Sequence, residues 1–124
     1  MKLFESGEDY LEAILMVSER KSEVHAIDVV NELGFSKPSV SIALKKLREQ
    51  EFITIDENNH LHLTEKGLDI ATKIYERHKV LTAILVKLGV DKKTAEDDAC
   101  MLEHDLSDAS WEAIKKYYLE NFEK

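Results

Sequence analysis

Apolar residues recur every three or four positions along most of this chain, a spacing that predicts amphipathic helices. The first predicted helix opens at Ser6, where Ser6 and Asp9 resemble a capping box, and runs to about Glu19. A second covers 26–33 and ends at Gly34, because glycine readily adopts the left-handed backbone that closes many helices. The pattern therefore predicts two short helices before the first sharp stop.

A third helix follows almost immediately and ends near Gln50. Ser36 caps it, and Pro38 lies in its first turn, where a missing backbone N–H costs nothing. Its apolar face consists of four residues, namely Val40, Ala43, Leu44 and Leu47. Two helices joined by a short turn that contains glycine are typical of a helix-turn-helix motif.

The hydrophobic period then changes from that of a helix to that of a strand. Segments 52–55 and 60–63 alternate apolar and polar residues around the polar turn 56–59, which predicts a β-hairpin. A hairpin directly after a helix-turn-helix is a wing. Three further helices are predicted beyond it, over 64–88, 92–105 and 108–122.

This order of elements predicts a mainly α fold in two domains. Residues 1–64 form a winged helix-turn-helix DNA-binding domain, and residues 65–124 form an all-helical dimerisation domain that also carries candidate metal ligands. The apolar stripe of the second domain exceeds what one short chain covers well, so we expect a homodimer. The stripe consists of Ile74, Val80, Leu81, Ile84 and Leu85.

Composition adds an expectation about location. No apolar run approaches the roughly 20 residues that a membrane-spanning helix needs, and the N-terminal residues lack the basic and apolar regions of a signal peptide. One cysteine in the whole chain excludes an internal disulfide. These features predict a cytoplasmic protein with no membrane partner.

The charge distribution matters more than its sum. A net charge of −8 argues against a partner as negative as DNA, yet the segment from Lys37 to Arg48 carries four basic residues and no acidic one. Small residues at the start of the third helix allow close approach to bases, and its basic residues suit phosphates. The predicted DNA contacts are Ser36, Lys37, Pro38, Ser39, Ser41, Ile42, Lys45, Lys46 and Arg48.

Ile42 faces away from the apolar stripe of the third helix. It fits two interpretations equally, a contact with a thymine methyl group or a packing contact at the edge of the core. Apart from its C-terminal end, this helix contains no Arg, Asn or Gln, the residues that read guanine or adenine strongly. We expect DNA shape and phosphates to carry much of the recognition.

Three good donors for a divalent transition metal lie together near the end of the chain. Cys100, Glu103 and His104 are spaced three and four apart, which places them on one face of a helix. Asp9 and Glu12 share one face of the first helix in the same way. A buried Glu–His pair is also common as a purely structural feature, so this cluster alone leaves both interpretations open. Three other histidines are predicted to face solvent, namely His25, His60 and His62.

Several segments together resemble the diphtheria-toxin-repressor and manganese-transport-regulator family of metal-activated bacterial repressors. They are DYLE at 9–12, SKPSVSIALKKL at 36–47, HLTEKG at 62–67, His78 and CMLEH at 100–104, and the resemblance spans roughly residues 5–106. It implies a winged-helix domain followed by a helical dimerisation and metal-binding domain. It also implies six metal ligands, namely Asp9, Glu12, His78, Cys100, Glu103 and His104.

The chain is a hybrid of two branches of that family. Manganese-responsive members have glutamate where this chain has Cys100, whereas iron-responsive members have cysteine there and usually lack the carboxylates found here at 9 and 12. The expected metal is therefore Fe²⁺ or Mn²⁺, with Co²⁺, Ni²⁺ or Zn²⁺ binding in vitro. One ion with spare donors and two ions bridged by Glu12 or Glu103 both fit the donor count.

The resemblance predicts a metal-dependent transcription regulator, most simply a repressor of metal-homeostasis genes on a palindromic operator, and not an enzyme. Donors from both domains on one metal would fix the spacing of the two recognition helices, since half-sites in successive major grooves lie about 34 Å apart. One alternative is a metal-independent winged-helix regulator whose cluster is structural. Another is a helical metalloenzyme, but no nucleophile or acid–base pair stands apart from the donors.

Overall fold

The computed structural model describes residues 6–122 and confirms the mainly α fold with a winged helix-turn-helix. The elements in chain order are α1 Gly7–Arg20, α2 Ala26–Leu33, α3 Lys37–Glu49, β1 Ile53–Ile55, β2 Leu61–Leu63, α4 Glu65–Lys87, α5 Lys92–Asp105 and α6 Asp108–Phe122. Within residues 6–122, no helix has the length and apolarity that a bilayer crossing requires.

The chain divides into two compact units, Met1–Thr72 and Lys73–Lys124. The division falls inside α4, which begins in the first unit and continues into the second. The domain boundary expected from the sequence, at 64/65, lies directly before Glu65, the first residue of α4, and stays a prediction. Each unit is described by itself below.

The core of the first unit is built where α1, α2, α3 and the hairpin meet. Helical spacing of apolar residues gives each helix one inward face, as the sequence predicts. The largest side chains with almost no exposure are Leu11, Ile14, Val17, Val29, Val40, Leu47, Phe52 and Ile53. Each such side chain stabilises the fold by about 1.5–3 kcal/mol relative to exposure, so the helix-turn-helix is held mainly by this shared core.

The predicted stops and caps around α3 are confirmed. Gly34 has φ +73°, and its N–H donates to the Val30 carbonyl at 2.8 Å, which closes α2. Ser36 Oγ accepts from the Ser39 N–H at 3.3 Å and so caps α3. The cap expected at Ser6 is wrong: Ser6 makes no side-chain cap bond, because its backbone (φ −93°, ψ 5°) is not in the extended conformation that an N-cap adopts.

The hairpin is short and tied to the rest of the unit. Its strands pair antiparallel with Ile53 opposite Leu63, and the Asp56 carboxylate accepts from the backbone N–H of Asn58 and of His60 across the turn. The Leu61 N–H donates to the Val24 carbonyl in the α1–α2 connector at 2.8 Å. That bond places the start of β2 beside the residues that precede α2.

A close backbone contact joins the hairpin to the start of α4. The Phe52 carbonyl accepts from the Thr64 N–H at 3.0 Å, and Thr64 Oγ1 in turn accepts from the Gly67 N–H at 3.1 Å. A Cβ on Gly67 would overlap the Phe52 carbonyl oxygen. Only glycine therefore permits this approach of α4 to the strand.

The second unit comprises the rest of α4 with α5 and α6. Its buried apolar side chains include Val80, Leu81, Ala95, Ala99 and Trp111. Several large apolar side chains of the same unit remain exposed, among them Leu88, Met101, Leu102, Tyr117 and Leu119. A single copy of the unit therefore leaves much apolar surface uncovered.

Candidate metal centre and nucleic-acid interface

Three of the predicted metal ligands meet within the second unit. His78 lies on α4, and Cys100 and Glu103 lie one turn apart on α5; one donor atom of each is within 4.8 Å of the others. His78 Nδ1 is 3.4 Å from Glu103 Oε1 and 3.8 Å from Cys100 Sγ. The prediction that Cys100 and Glu103 lie on one face of a helix is thus confirmed, and both donors face the His78 imidazole.

Glu103 is the most telling member of this cluster because it has 0% exposure. Neither of its carboxylate oxygens accepts a hydrogen bond from any residue in the described part of the chain. Burying a carboxylate without such bonds is costly unless a cation compensates it. A buried carboxylate beside an imidazole and an exposed thiol fits a divalent transition metal.

The protonation of His78 fits the same interpretation. The close approach of the ring to Cys100, and then to Glu103 at 3.4 Å, raises the pKa of His78 to about 10 from its usual 6.5, against the opposing effect of burial. The cluster therefore favours a cation at this position. A metal ion would replace that proton, since imidazole coordinates metals in its neutral form.

The structure adds Arg77, a residue that the sequence analysis did not single out. Its guanidinium donates to the carbonyls of Glu103 and Leu106 at 3.3 and 3.2 Å and pairs with Asp108 at 3.0 Å. It thereby satisfies carbonyls at the C-terminal end of α5 and opposes the negative end of that helix dipole. Arg77 positions the segment that carries Glu103. Arg77 directly precedes His78 in the sequence, but an arginine next to a predicted ligand is common and does not by itself indicate this role.

The other three predicted ligands lie on the helices that the sequence predicts for them, α1 and α5. Asp9 is half-buried and Glu12 is buried, one turn apart on α1 of the first unit. His104 follows Glu103 on α5 and is half-buried. The six-residue ligand set as a whole stays a prediction.

All nine predicted DNA contacts are exposed on or next to α3. A groove of about 750 Å³ runs between α3 and the hairpin, and its helix side includes Lys37, Ser41, Ile42, Lys45 and Arg48. Ile42 is 60% exposed, which excludes its interpretation as a core residue. The α3 side of this groove thus offers cations and small polar groups around the exposed side chain of Ile42.

The expectation that His25, His60 and His62 all face solvent is wrong for His60. The His62 side chain is 57% exposed, but that of His60 is only 20% exposed. The Leu61–Val24 backbone bond draws His60 against the α1–α2 connector, and its ring meets that of His25 edge to face, with 4.7 Å between centroids. Strand alternation alone did not reveal this contact, because it comes from outside the hairpin.

A winged helix-turn-helix followed by a helical unit in which a buried carboxylate meets an imidazole and a thiol defines a metal-binding, DNA-binding regulator as the class of protein. The comparisons agree with this class. Residues 2–61 match the family described as iron dependent repressor, N-terminal DNA binding domain, and residues 64–124 match iron dependent repressor, metal binding and dimerisation domain. The chain belongs to the iron-dependent repressor family, which confirms the resemblance inferred from the sequence.

Individual relatives share most of this chain. An uncharacterized HTH-type transcriptional regulator of Methanocaldococcus jannaschii is 37% identical over 120 residues, 95% of each chain. The HTH-type transcriptional regulator MntR of Bacillus pumilus is 33% identical over 111 residues, covering 90% of this chain and 75% of that one. A solved structure described as a manganese-dependent transcriptional repressor in complex with manganese has 29% identity and a TM-score of 0.80, over 90% of this chain and 51% of that one.

This chain thus spans about half the length of that solved repressor. Its family consists of metal-dependent, DNA-binding transcription regulators and not of enzymes. These findings favour the metal-dependent regulator over the alternative in which the cluster is merely structural.

Proposed function

We propose that this protein is a homodimeric repressor that binds a palindromic operator when Fe²⁺ or Mn²⁺ is bound, and so controls metal-homeostasis genes. One observation carries the proposal: a fully buried carboxylate, Glu103, lies with His78 and Cys100 in a chain that also contains a winged helix-turn-helix. An operator-binding regulator acts where the DNA is, so we assign it to the cytoplasm.

The proposed ligands extend beyond the cluster. His78, Cys100 and Glu103 offer three different donor types at close range, and we assign Asp9, Glu12 and His104 to the same metal response because their motifs match the family. When bound, the ion supplies positive charge that compensates the buried carboxylates. Asp9 and Glu12 belong to the DNA-binding unit, so metal affinity and operator affinity become thermodynamically coupled.

The choice of metal follows from the donors. Carboxylates suit Mn²⁺, whereas the thiol of Cys100 shifts the preference toward Fe²⁺ and later metals. The related repressor solved with manganese supports Mn²⁺, and the family description supports Fe²⁺. Co²⁺, Ni²⁺ and Zn²⁺ would compete in vitro, since affinity rises along the Irving–Williams series.

The proposed DNA contacts divide into two kinds. Lys37, Lys45, Lys46 and Arg48 neutralise phosphates, which gives affinity without sequence preference. The small side chains at the start of α3 allow its backbone to approach the bases closely, and Ile42 contacts a thymine methyl group. These small residues are Ser36, Pro38, Ser39 and Ser41. The exposure of all these residues supports the assignment.

Dimer formation is supported by the second unit. Its exposed apolar side chains, such as Leu88 at 76% and Met101 at 64% exposure, are the kind of surface that subunit interfaces cover. The match of residues 64–124 to a dimerisation domain points to the same unit. A two-fold dimer also matches the symmetry of a palindromic operator.

Metal should tighten operator binding by the wild-type protein. We expect at least about tenfold higher affinity with excess Mn²⁺ or Fe²⁺ than with chelator, equivalent to about 1.4 kcal/mol of coupling. Fluorescence anisotropy with a labelled promoter fragment under anaerobic conditions measures it. Mg²⁺, a metal that thiolate and imidazole donors do not favour, serves as the control. Equal affinity with chelator and with either metal would contradict the proposal.

Replacing Lys45 by alanine should weaken binding through phosphates alone. Each lost phosphate contact lowers the slope of log K against log salt by roughly 1, so a dimer with two altered subunits should lose about 2. Lys92→Ala makes the same charge change on an exposed residue of the second unit and should leave the slope unchanged. An identical slope for wild type and Lys45→Ala would remove Lys45 from the interface.

A further inference from the structure

We propose a second metal site, in the DNA-binding unit, formed by Glu23, His25 and His60 and selective for Zn²⁺ or an ion of similar preference. One donor atom from each residue lies within 4.8 Å of the other two. None of the three belongs to the proposed Fe²⁺/Mn²⁺ ligand set. Two imidazoles and one carboxylate are a set with which proteins bind zinc, with water in the fourth position.

The distances within this triad suit a small ion. Glu23 Oε2 and His60 Nε2 are 3.3 Å apart. Two ligands at zinc–donor distances of about 2.0–2.2 Å around a tetrahedral ion lie roughly 3.4 Å from each other. The His25 ring lies beside that of His60, so modest side-chain rotation brings the third donor to the same separation.

Carboxylates lie behind both imidazoles. Asp56 Oδ2 is 3.6 Å from His60 Nδ1, and Asp28 Oδ2 is 3.7 Å from His25 Nδ1. Metal-binding histidines usually direct their second nitrogen to a carboxylate, which fixes the ring and leaves the other nitrogen for the ion. Asp56 is itself held by His62 Nε2 at 2.9 Å. Each imidazole of the triad thus has its Nδ1 near a carboxylate, and the Nε2 of His60 faces Glu23.

The composition of the triad sets its metal preference. It has two nitrogen donors and one carboxylate, whereas Mn²⁺ prefers sites richer in oxygen. Zinc, copper and nickel bind imidazole more strongly. The triad would therefore respond to a different ion from the one that the second unit senses.

The triad joins two segments that shape the DNA-binding surface. Glu23 and His25 belong to the α1–α2 connector, while His60 directly precedes β2. The Val24–Leu61 backbone bond already aligns these segments, and His25 lines the same groove as Lys37 and Lys45. An ion here would fasten the wing to the helix-turn-helix at the edge of that groove.

The test uses the full chain with Cys100→Ser and Glu103→Gln, which removes two donors of the cluster in the second unit. We expect this double variant to bind one Zn²⁺ per chain in a titration against a chromophoric chelator. Adding His60→Gln should weaken that binding by at least about tenfold, and adding Glu23→Gln should weaken it in the same direction. Glu57→Gln makes the same charge change on an exposed residue of the wing turn and should leave zinc affinity unchanged.

Three results would overturn the second site. The first is that the double variant binds no zinc below about 1 mM, the weak range of protein affinities. The second is a zinc affinity that neither His60→Gln nor Glu23→Gln changes. The third is an equal loss of zinc affinity with Glu57→Gln, which would indicate an effect of net charge alone. His25→Gln removes the third donor without changing the wing turn, and the side chain it replaces is 39% exposed. It therefore tests the site even if His60→Gln disturbs the fold. Circular dichroism of each variant verifies the fold.

Discussion

Glu103→Gln should abolish the metal response while leaving the fold intact. A ligand at one hundred times its dissociation constant stabilises a protein by about 2.7 kcal/mol, which for a chain of this length corresponds to roughly 10 °C in melting temperature. Wild type should gain that much with Mn²⁺ or Fe²⁺, and the variant should gain almost nothing. Its operator affinity should likewise lose the metal-induced increase.

The physical reason lies in the burial of this side chain. Glu103 is fully buried and its oxygens accept no hydrogen bond from residues 6–122, so the carboxylate contributes little to the metal-free fold beyond its ion pair with His78. Glutamine keeps the volume and removes the charge. Removing one partner of a buried ion pair is destabilising, but His78 can lose its proton once its partner is neutral, so without metal we expect the unfolding free energy to fall by no more than about 3 kcal/mol.

The control is Glu112→Gln, the same substitution at an exposed position on α6. It should retain the full metal-induced rise in melting temperature. Differential scanning calorimetry of wild type and both variants, with metal and with chelator, gives the six melting temperatures needed. A Glu103→Gln protein that still gains several degrees with metal would show that this carboxylate is not a ligand.

Gly67→Ala should destabilise the DNA-binding unit by about 3 kcal/mol or more, a cost typical of severe overpacking against a rigid neighbour. The added Cβ would overlap the Phe52 carbonyl oxygen, which is backbone and already accepts from Thr64. Helix propensity alone predicts the opposite sign, since alanine is favoured over glycine inside a helix by about 1 kcal/mol. The sign of the change therefore decides between the two effects.

Gly34→Ala provides the comparison within the same unit. Gly34 has φ +73° but no atom within 4 Å of an added Cβ, so its substitution should cost only about 1 kcal/mol, the penalty of left-handed backbone. Urea denaturation of both variants, with metal chelated, measures the difference. A Gly67→Ala protein as stable as wild type would mean that α4 shifts freely away from the hairpin.

Much of the fold was predictable because it depends on local periodicity. The bounds of α5 and the start of α6 match the prediction, α6 ends near the predicted residue, and the stop at Gly34 and the cap at Ser36 rest on chemistry within four residues. The pairing of Cys100 with Glu103 on one face follows from helical spacing alone. The addition of His78 required the family resemblance, since a single histidine in a long helix carries no spacing information.

What the sequence missed depends on contacts between distant segments. His60 is half-buried because of a bond from Leu61 to Val24, and Arg77 caps a helix that ends almost thirty residues later. Periodicity describes one element at a time, so neither contact has a signature in it. Ser6 shows the converse limit: the residue type suits a cap, but the backbone there does not adopt the required conformation.

The bond between Leu61 and Val24 also determines how the wing behaves when the protein opens. A hairpin with three-residue strands is marginal in water by itself, but here Phe52, Ile53 and Leu61 are buried in the core of the helix-turn-helix. The wing cannot separate without exposing that core, so it belongs to the same cooperative unfolding unit and not to the fraying end of the stability range. The surface that reads DNA is consequently present or absent as a whole, with no partly open form that keeps the helix and loses the wing.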